Sequence, residues 1–217
     1  DGDANYDGVW GHNNLTLKNG WHTGSATHTN LKAIGSFSGN VGYCIEPGVH
    51  LSMGQSMTQY DENYFNNIQA NGVISGDEIR QYIGRILQYG YRGTISTSWR
   101  SQNEAAANSI AHAYATQLLI WETIVGERDA NFNHKAASGC SNVKDVVNAA
   151  HPLRSKIFSY YDSMVASIQN HTVVPSFCNR SAGSAKTLEL EWDGSKYTTT
   201  LTDTNNVLSN YSFSATI

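Results

Sequence analysis

An alanine-rich segment in the middle of the chain constrains the fold more than any other feature. It opens at Ser101-Gln102-Asn103-Glu104, a capping-box pattern that satisfies the first free amides of a helix. Six alanines make the first half of the predicted helix slim enough for close packing, and Gly126 is expected to end it. The alanines are Ala105, Ala106, Ala107, Ala111, Ala113 and Ala115.

Two further helical stretches surround this segment in sequence. Ser75-Gly76-Asp77-Glu78 is a second capping box, and the isoleucines that follow recur at helical spacing up to Gly90. A third stretch, residues 141–171, should break near Pro152. With β-like runs at both ends, the order predicts an α+β fold. We expect a single domain over residues 1–217, with a sheet- or sandwich-like β part at about 1–70 and 186–217 and a helical part at about 75–171.

The β-like tail has its own pattern. Leu188, Leu190 and Trp192 alternate with glutamates, which predicts a half-buried strand. Asp193-Gly194 is then a turn into a second strand, and residues 207–213 are expected to form another.

Composition narrows the class of protein. Charged residues make up 15% of the 217-residue chain, and the net charge is -4 without any basic run. These values do not suit a nucleic-acid binder, and the absence of 18 consecutive apolar residues argues against membrane insertion. A weakly charged, aromatic-rich composition is typical of an extracellular protein, and the chain reads as a piece of a longer one.

Three cysteines leave one without an obvious partner. Cys140 and Cys178 are 38 positions apart, and in a secreted chain we favour a disulfide between them over two free thiols. Metal-ligand spacings such as Cys-x-x-Cys are lacking, so no metal is expected.

Cys44 allows three interpretations. It can be a small buried hydrophobe, as free cysteines often are. It can be a hydrolase nucleophile with a histidine base, although a β-like segment lacks the helix N-terminus that lowers a thiol pKa. It can also be bonded to a side chain of its own protein, for which Gln117 is the candidate.

Gln117 lies among apolar residues of the long helix and shares one face with Ala113 and Trp121, four positions to either side. A buried glutamine without hydrogen-bond partners costs about 1–3 kcal/mol. Its side-chain amide is therefore either hydrogen-bonded to backbone groups or converted to another functional group. If the Cys44 thiolate attacks the Gln117 carbonyl and ammonia leaves, an internal thioester forms. Tyr43 and Trp121 are the expected walls of a dry pocket around that bond.

The same residues resemble those of a known family. Tyr43-Cys44-Ile45 is similar to the aromatic-Cys-aliphatic motif of the thioester domains of Gram-positive surface adhesins. Thr116-Gln117, with the following Ile120-Trp121, resembles their Thr-Gln-x-Ala motif and its trailing aliphatic-Trp pair. Residues 201–208 resemble the closing strands, so the resemblance covers most of the chain. Leu119 departs from the motif because it stands where the family has alanine.

The resemblance implies an extracellular, cell-wall-anchored domain of a Gram-positive bacterium. A lysine amine of a host cell-surface or matrix protein attacks the Gln117 acyl carbon, Cys44 leaves as a thiol, and an isopeptide bond remains. Such single-turnover capture is not enzymatic catalysis and needs no cofactor. A monomeric domain within a larger anchored protein is expected.

Four polar residues near the pair in sequence are expected to be solvated or structural: Glu46, His50, His112 and Glu122. The last two lie about 140° from Gln117 around the helix. Because the chain has 12 tyrosines and 5 tryptophans, a non-covalent carbohydrate- or peptide-binding module is the alternative function. A secreted cysteine hydrolase is the third.

Overall fold

The structure, a computed structural model, describes residues 15–21, 32–33, 41–49, 56, 58–61, 63–67, 72–93, 104–171, 174–178, 188–205 and 207–211. Within them the helices are α1 (Tyr64–Asn67), α2 (Gly76–Tyr89), α3 (Glu104–Val125) and α4 (Arg154–Asn170). Short 3₁₀ helices cover Lys18–Gly20, Val143–Val146 and Leu208–Asn210.

Two small antiparallel pairs make up the strands of the described residues. β1 (Lys32–Ala33) pairs with β2 (Val41–Gly42), and β3 (Glu191–Trp192) pairs with β4 (Tyr197–Thr198). The mixture of helices and few strands confirms the α+β class in its coarse form. The sandwich-like arrangement of the termini stays a prediction. The chain divides into two compact units, Asp1–Ile168 and Gln169–Ile217.

Helix α2 begins and ends as the sequence predicts. The Ser75 hydroxyl accepts the Glu78 N–H at 3.2 Å, and the Glu78 carboxylate accepts the Ser75 N–H at 2.7 Å. This reciprocal box satisfies two amides that the first turn leaves free. At the other end, a Cβ on Gly90 would lie 2.6 Å from the side chain of Thr116. Glycine is therefore required where the chain leaves α2 and passes α3.

Helix α3 forms the centre of the first unit. Its side chains are buried from Ala106 to Val125 except for three that are partly exposed, Asn108, Ser109 and His112. It packs against α2 and against the 3₁₀ helix Val143–Val146. Gly126 follows it with φ +86°, a left-handed conformation that ends the helix. The predicted start at Ser101 lies outside the described residues.

The third helical stretch is broken near Pro152, as the sequence predicts. The 3₁₀ helix Val143–Val146 comes first, a turn follows, and α4 begins only at Arg154. Ile157, Met164 and Ile168 lie on one face of α4 and are buried. Among the helices that the structure describes, none combines the length and apolar character needed to cross a bilayer.

The tail differs from its prediction in two places. The turn at Asp193-Gly194 joins β3 to β4 as predicted. Leu188 and Trp192 are 42% and 58% exposed, however, so the half-burial predicted for the first of these strands is wrong. Alternation predicts burial only where another layer covers the apolar face. The strand expected over 207–213 is also wrong in its described part, which is a 3₁₀ helix. The carboxylate of Asp203 accepts the N–H groups of Val207 and Leu208 and holds the backbone in a turn. Residues 212–213 lie outside the described residues.

Candidate functional site

Cys44 and Gln117 are 73 positions apart and in direct contact. The backbone N–H of Cys44 donates to Gln117 Oε1 at 2.8 Å, and Gln117 Nε2 donates to the backbone oxygen of Cys44 at 2.7 Å. Gln117 is only 3% exposed. Both polar ends of a buried amide are therefore satisfied by a single residue, which removes the cost of burying it.

A chain of hydrogen bonds fixes the backbone on either side of this contact. The hydroxyl of Tyr43 donates to the Tyr91 carbonyl at 2.5 Å, and the Tyr91 N–H donates to Thr116 Oγ1 at 3.0 Å. The Thr116 hydroxyl in turn donates to the carbonyl of His112 within α3. Because Tyr43 precedes Cys44 and Thr116 precedes Gln117, these bonds set the position of both. The Thr116 hydroxyl is thus a positioning group that motif reading alone did not assign.

The Cys44 thiol is half-buried, and its Sγ donates to the backbone oxygen of Glu46 at 3.2 Å. Burial raises the pKa of this thiol, the negative charge of Glu46 raises it further, and the indole N–H of Trp121 lowers it. No histidine in the described part contributes to this balance. The resting group is therefore a neutral thiol and not the thiolate that a cysteine hydrolase maintains.

Trp121 and Tyr43, the predicted pocket walls, have different surroundings. Trp121 is 2% exposed, and its Nε1 has no hydrogen-bond acceptor among the described residues, although the indole lies close enough to influence the Cys44 thiol. Tyr43 is half-buried and packs against the hydrophobic core, and burial raises the pKa of its hydroxyl. Their function as walls of a reactive pocket stays a prediction.

Glu46, Tyr64 and Tyr60 form a partly exposed group near Cys44. The hydroxyl of Tyr64 donates to Glu46 Oε1 at 3.2 Å, and the ring of Tyr60 stacks on that of Tyr64 with centroids 4.8 Å apart. Burial raises the pKa of Tyr64 to about 12, with Glu46 and Cys44 adding to the rise. Sequence reasoning missed Tyr64. The closely spaced aromatics after the cysteine motif were the available signal.

The remaining candidates near the pair in sequence are structural where the structure describes them. His112 Nε2 lies 3.0 Å from the Tyr89 carbonyl, and the ring stacks on Tyr160. Glu122 is fully buried in an ion pair with Arg128, with 2.6 Å between Oε2 and Nη2. His50 lies outside the described residues.

That ion pair belongs to a buried polar cluster that sequence reasoning also missed. Tyr161 donates to Glu122 Oε1 at 2.8 Å and accepts from the Arg128 guanidinium. Beside it, Glu127 is fully buried, and its Oε2 lies 3.5 Å from Nε2 of His134. Burial, together with the charge of Glu122, raises the pKa of Glu127 to about 8.

The cluster offers one ligand atom each from Glu122, Glu127 and His134, all within 4.8 Å of one another. Arg128 already binds the Glu122 carboxylate, so the protein supplies a cation of its own there. The raised pKa of Glu127 favours its neutral form, which reduces the negative charge of the cluster. The arrangement is that of a structural network, and the absence of a metal stays a prediction.

The predicted disulfide is not formed in the structure. Cys140 and Cys178 are both free thiols. The Cys140 Sγ lies 3.8 Å from the Ser138 carbonyl within its own loop, and the N–H of Cys178 closes a turn onto the Pro175 carbonyl at 2.8 Å. Each cysteine is thus held by local contacts, and sequence separation could not reveal how either side chain is placed.

The fold and the site define a class of protein in which a helix holds a buried glutamine against a half-buried cysteine. The family model for the thioester domain matches residues 41–170, which include both residues and more than half of the chain. The chain therefore belongs to the thioester domain family. Membership supports a thioester bond and a role in adhesion. No curated protein and no solved structure gives a significant match.

Proposed function

We propose that this domain carries an internal thioester between Cys44 Sγ and Gln117 Cδ and uses it to attach covalently to a lysine amine on a host protein. The observation that carries the proposal is the pairing of the buried Gln117 amide with both backbone groups of Cys44. This pairing places the carbonyl to be attacked beside the residue that bears the thiol. Membership of the thioester domain family supports the same bond.

The proposed bond forms by an acyl transfer within the chain. The thiol of Cys44 attacks Gln117 Cδ, the C–S bond forms, the C–N bond breaks, and the thiol proton leaves with the amide nitrogen as ammonia. During attack the negative charge develops on Gln117 Oε1. The Cys44 N–H, 2.8 Å from that oxygen, is a backbone donor suited to stabilise it.

In the capture step Cys44 is the leaving group, and Gln117 Cδ is again the atom attacked. A neutral amine attacks Gln117 Cδ, the new C–N bond forms, and the C–S bond breaks, so that Cys44 regains its proton as a thiol. The product is an isopeptide bond to the partner. Because the thioester is not regenerated, the domain acts once and is not an enzyme, and no cofactor takes part.

The setting of the proposed reaction is the outer surface of a Gram-positive bacterium. A weakly charged, aromatic-rich composition suits an extracellular domain. An adhesin anchored in the cell wall gains from a covalent bond because such a bond resists pulling forces. Host cell-surface and matrix proteins are the proposed partners, since they present many lysines.

Intact mass spectrometry tests the proposal directly. The protein should be lighter than its sequence by one ammonia, and methylamine should add to Gln117 and free Cys44 for alkylation. Cys44→Ala and Gln117→Ala should each abolish the deficit. Cys140→Ser, a matched cysteine variant outside the site, should retain it. A fresh wild-type protein with full sequence mass and an alkylatable Cys44 would rule the thioester out.

A further inference from the structure

The Gln117 side and the Cys44 side of the proposed thioester differ in their exposure to solvent. On the helix side, Gln117 and Trp121 are 3% and 2% exposed and belong to the packed core around α3. On the other side, Cys44 and Glu46 are half-buried, and Tyr60 is 65% exposed. Among the described residues, the more accessible groups around the pair therefore lie on the Cys44 side, where Glu46 contacts Tyr64 and Tyr64 stacks on Tyr60.

The chemistry of this side suits a cation. Glu46 presents a carboxylate whose Oε1 is oriented by the Tyr64 hydroxyl at 3.2 Å. Its backbone oxygen accepts a hydrogen bond from the Cys44 Sγ at 3.2 Å, so the residue lies beside the reacting sulfur. The stacked rings of Tyr60 and Tyr64 offer aromatic faces, which attract ammonium groups. No side chain in this group carries a positive charge.

We propose that Glu46, Tyr64 and Tyr60 form a receiving site for the ammonium group of an unbranched aliphatic amine, with Glu46 as the base that deprotonates it. The proposal rests on the thioester argued above. It adds a binding site and a catalytic residue to a reaction otherwise described by two residues. It also states the substrate class: cationic alkylamines, such as a lysine side chain, are favoured over neutral or anionic amines.

The alkylammonium binds beside Glu46 and gives one proton to its carboxylate, which passes it to solvent. The neutral amine then forms the C–N bond to Gln117 Cδ and becomes positively charged. As the C–S bond breaks, the extra proton on that nitrogen passes through solvent to the departing Cys44 sulfur, a step that every amine shares. The sum is one amide, one thiol and one proton released to solvent from one thioester and one alkylammonium.

The test compares an amine that must lose a proton before it can attack with one that is already neutral. Thioester opening is followed by mass and thiol release with propylamine, which is cationic near neutral pH, and with hydroxylamine, which is largely neutral there. Glu46→Gln keeps an acceptor for Tyr64 and removes the base and the charge. We expect it to slow propylamine about tenfold or more and to change hydroxylamine less than about twofold. Glu191→Gln, an exposed charge-matched control, should change neither rate.

A second comparison needs no variant. β-Alanine matches propylamine in length but carries a carboxylate, which Glu46 repels. At low ionic strength the wild-type protein should react with propylamine about fivefold faster than with β-alanine, and added salt should reduce the difference. Equal slowing of propylamine and hydroxylamine in Glu46→Gln, or no slowing of either, would overturn the proposal. Equal rates for propylamine and β-alanine would do the same. A wild-type protein without the ammonia deficit contradicts the thioester itself, so the two failures are distinguishable.

Discussion

The side-chain amide of Gln117 bridges the backbone N–H and C=O of Cys44, with bonds of 2.8 Å and 2.7 Å. The arrangement resembles a strand pairing in which one partner is a side chain. It orders the segment after β2 against α3 before any covalent bond exists. The Gln117 carbonyl oxygen therefore already lies on the backbone donor that stabilises its negative charge during thiol attack.

These two bonds should stabilise the fold independently of the thioester. In a Cys44→Ala background no thioester can form, so adding Gln117→Met isolates the hydrogen bonds while keeping similar volume. Both backbone groups of residue 44 lose their partner, and we expect a loss of about 2–4 kcal/mol in the free energy of unfolding by urea denaturation. Leu119→Met in the same background removes no polar contact and should cost less than about 1.5 kcal/mol. Equal losses for the two variants would contradict the prediction.

Opening the thioester should lower thermal stability without any mutation. The proposed Cys44–Gln117 bond would close a loop of 73 residues, and in the chain-entropy model such a link removes about 4–5 kcal/mol of unfolded-state freedom. For a chain of this size, that loss corresponds to a fall in Tm on the order of 10 °C after methylamine treatment. Calorimetry before and after treatment measures it. Gln117→Ala, which has no thioester, should show no change, and a similar shift in that variant would point to a solvent effect of methylamine.

Trp121→Phe should slow opening of the proposed thioester. The indole N–H is buried, has no acceptor among the described residues, and lies close enough to Cys44 to lower the pKa of its thiol. A buried donor of this kind gains its partner when the sulfur leaves with negative charge. Phenylalanine keeps the ring in the core but removes the donor, so we expect a fall of about tenfold in the rate with hydroxylamine. Tyr114→Phe, a matched loss of a polar atom on the same helix, should leave the rate within about twofold. An unchanged rate in Trp121→Phe would exclude this role.

Parts of this site could be predicted from the sequence because they depend on local rules. The capping box at Ser75 predicted the start of α2, and the four-residue spacing of Gln117 and Trp121 predicted that both face inward. Glu46 and Tyr64 could not be paired in this way. Their contact depends on where the short helix α1 lies relative to the cysteine segment, and no periodicity encodes that placement.

The buried polar cluster shows a second limit of sequence reasoning. Glu122 and Arg128 are six positions apart, which is not a contact spacing within one helix. They meet because the chain turns back at Gly126 after the end of α3. Tyr161 then joins them from α4. An apolar helix interrupted by glutamate was visible in the sequence, but the partner of that glutamate was not.

Replacing Glu127 by glutamine should change how stability depends on pH. Burial raises the pKa of Glu127 to about 8, whereas a glutamate in the unfolded chain has a pKa of about 4.3. Between these values the folded state holds a proton that the unfolded state has released. The free energy of unfolding therefore falls as pH rises, by at most about 1.4 kcal/mol per pH unit for this group.

Glutamine has the shape of a protonated glutamate. It can accept the N–H of Val143 and donate toward His134 without ionising. In urea denaturation between about pH 5 and 8, Glu127→Gln should therefore lose this part of the slope and exceed the wild-type protein in stability at the upper end. Glu189→Gln, at an exposed position, should keep the wild-type slope. If Glu127→Gln and the wild-type protein respond to pH identically, Glu127 is ionised throughout and the cluster is compensated by Arg128 alone.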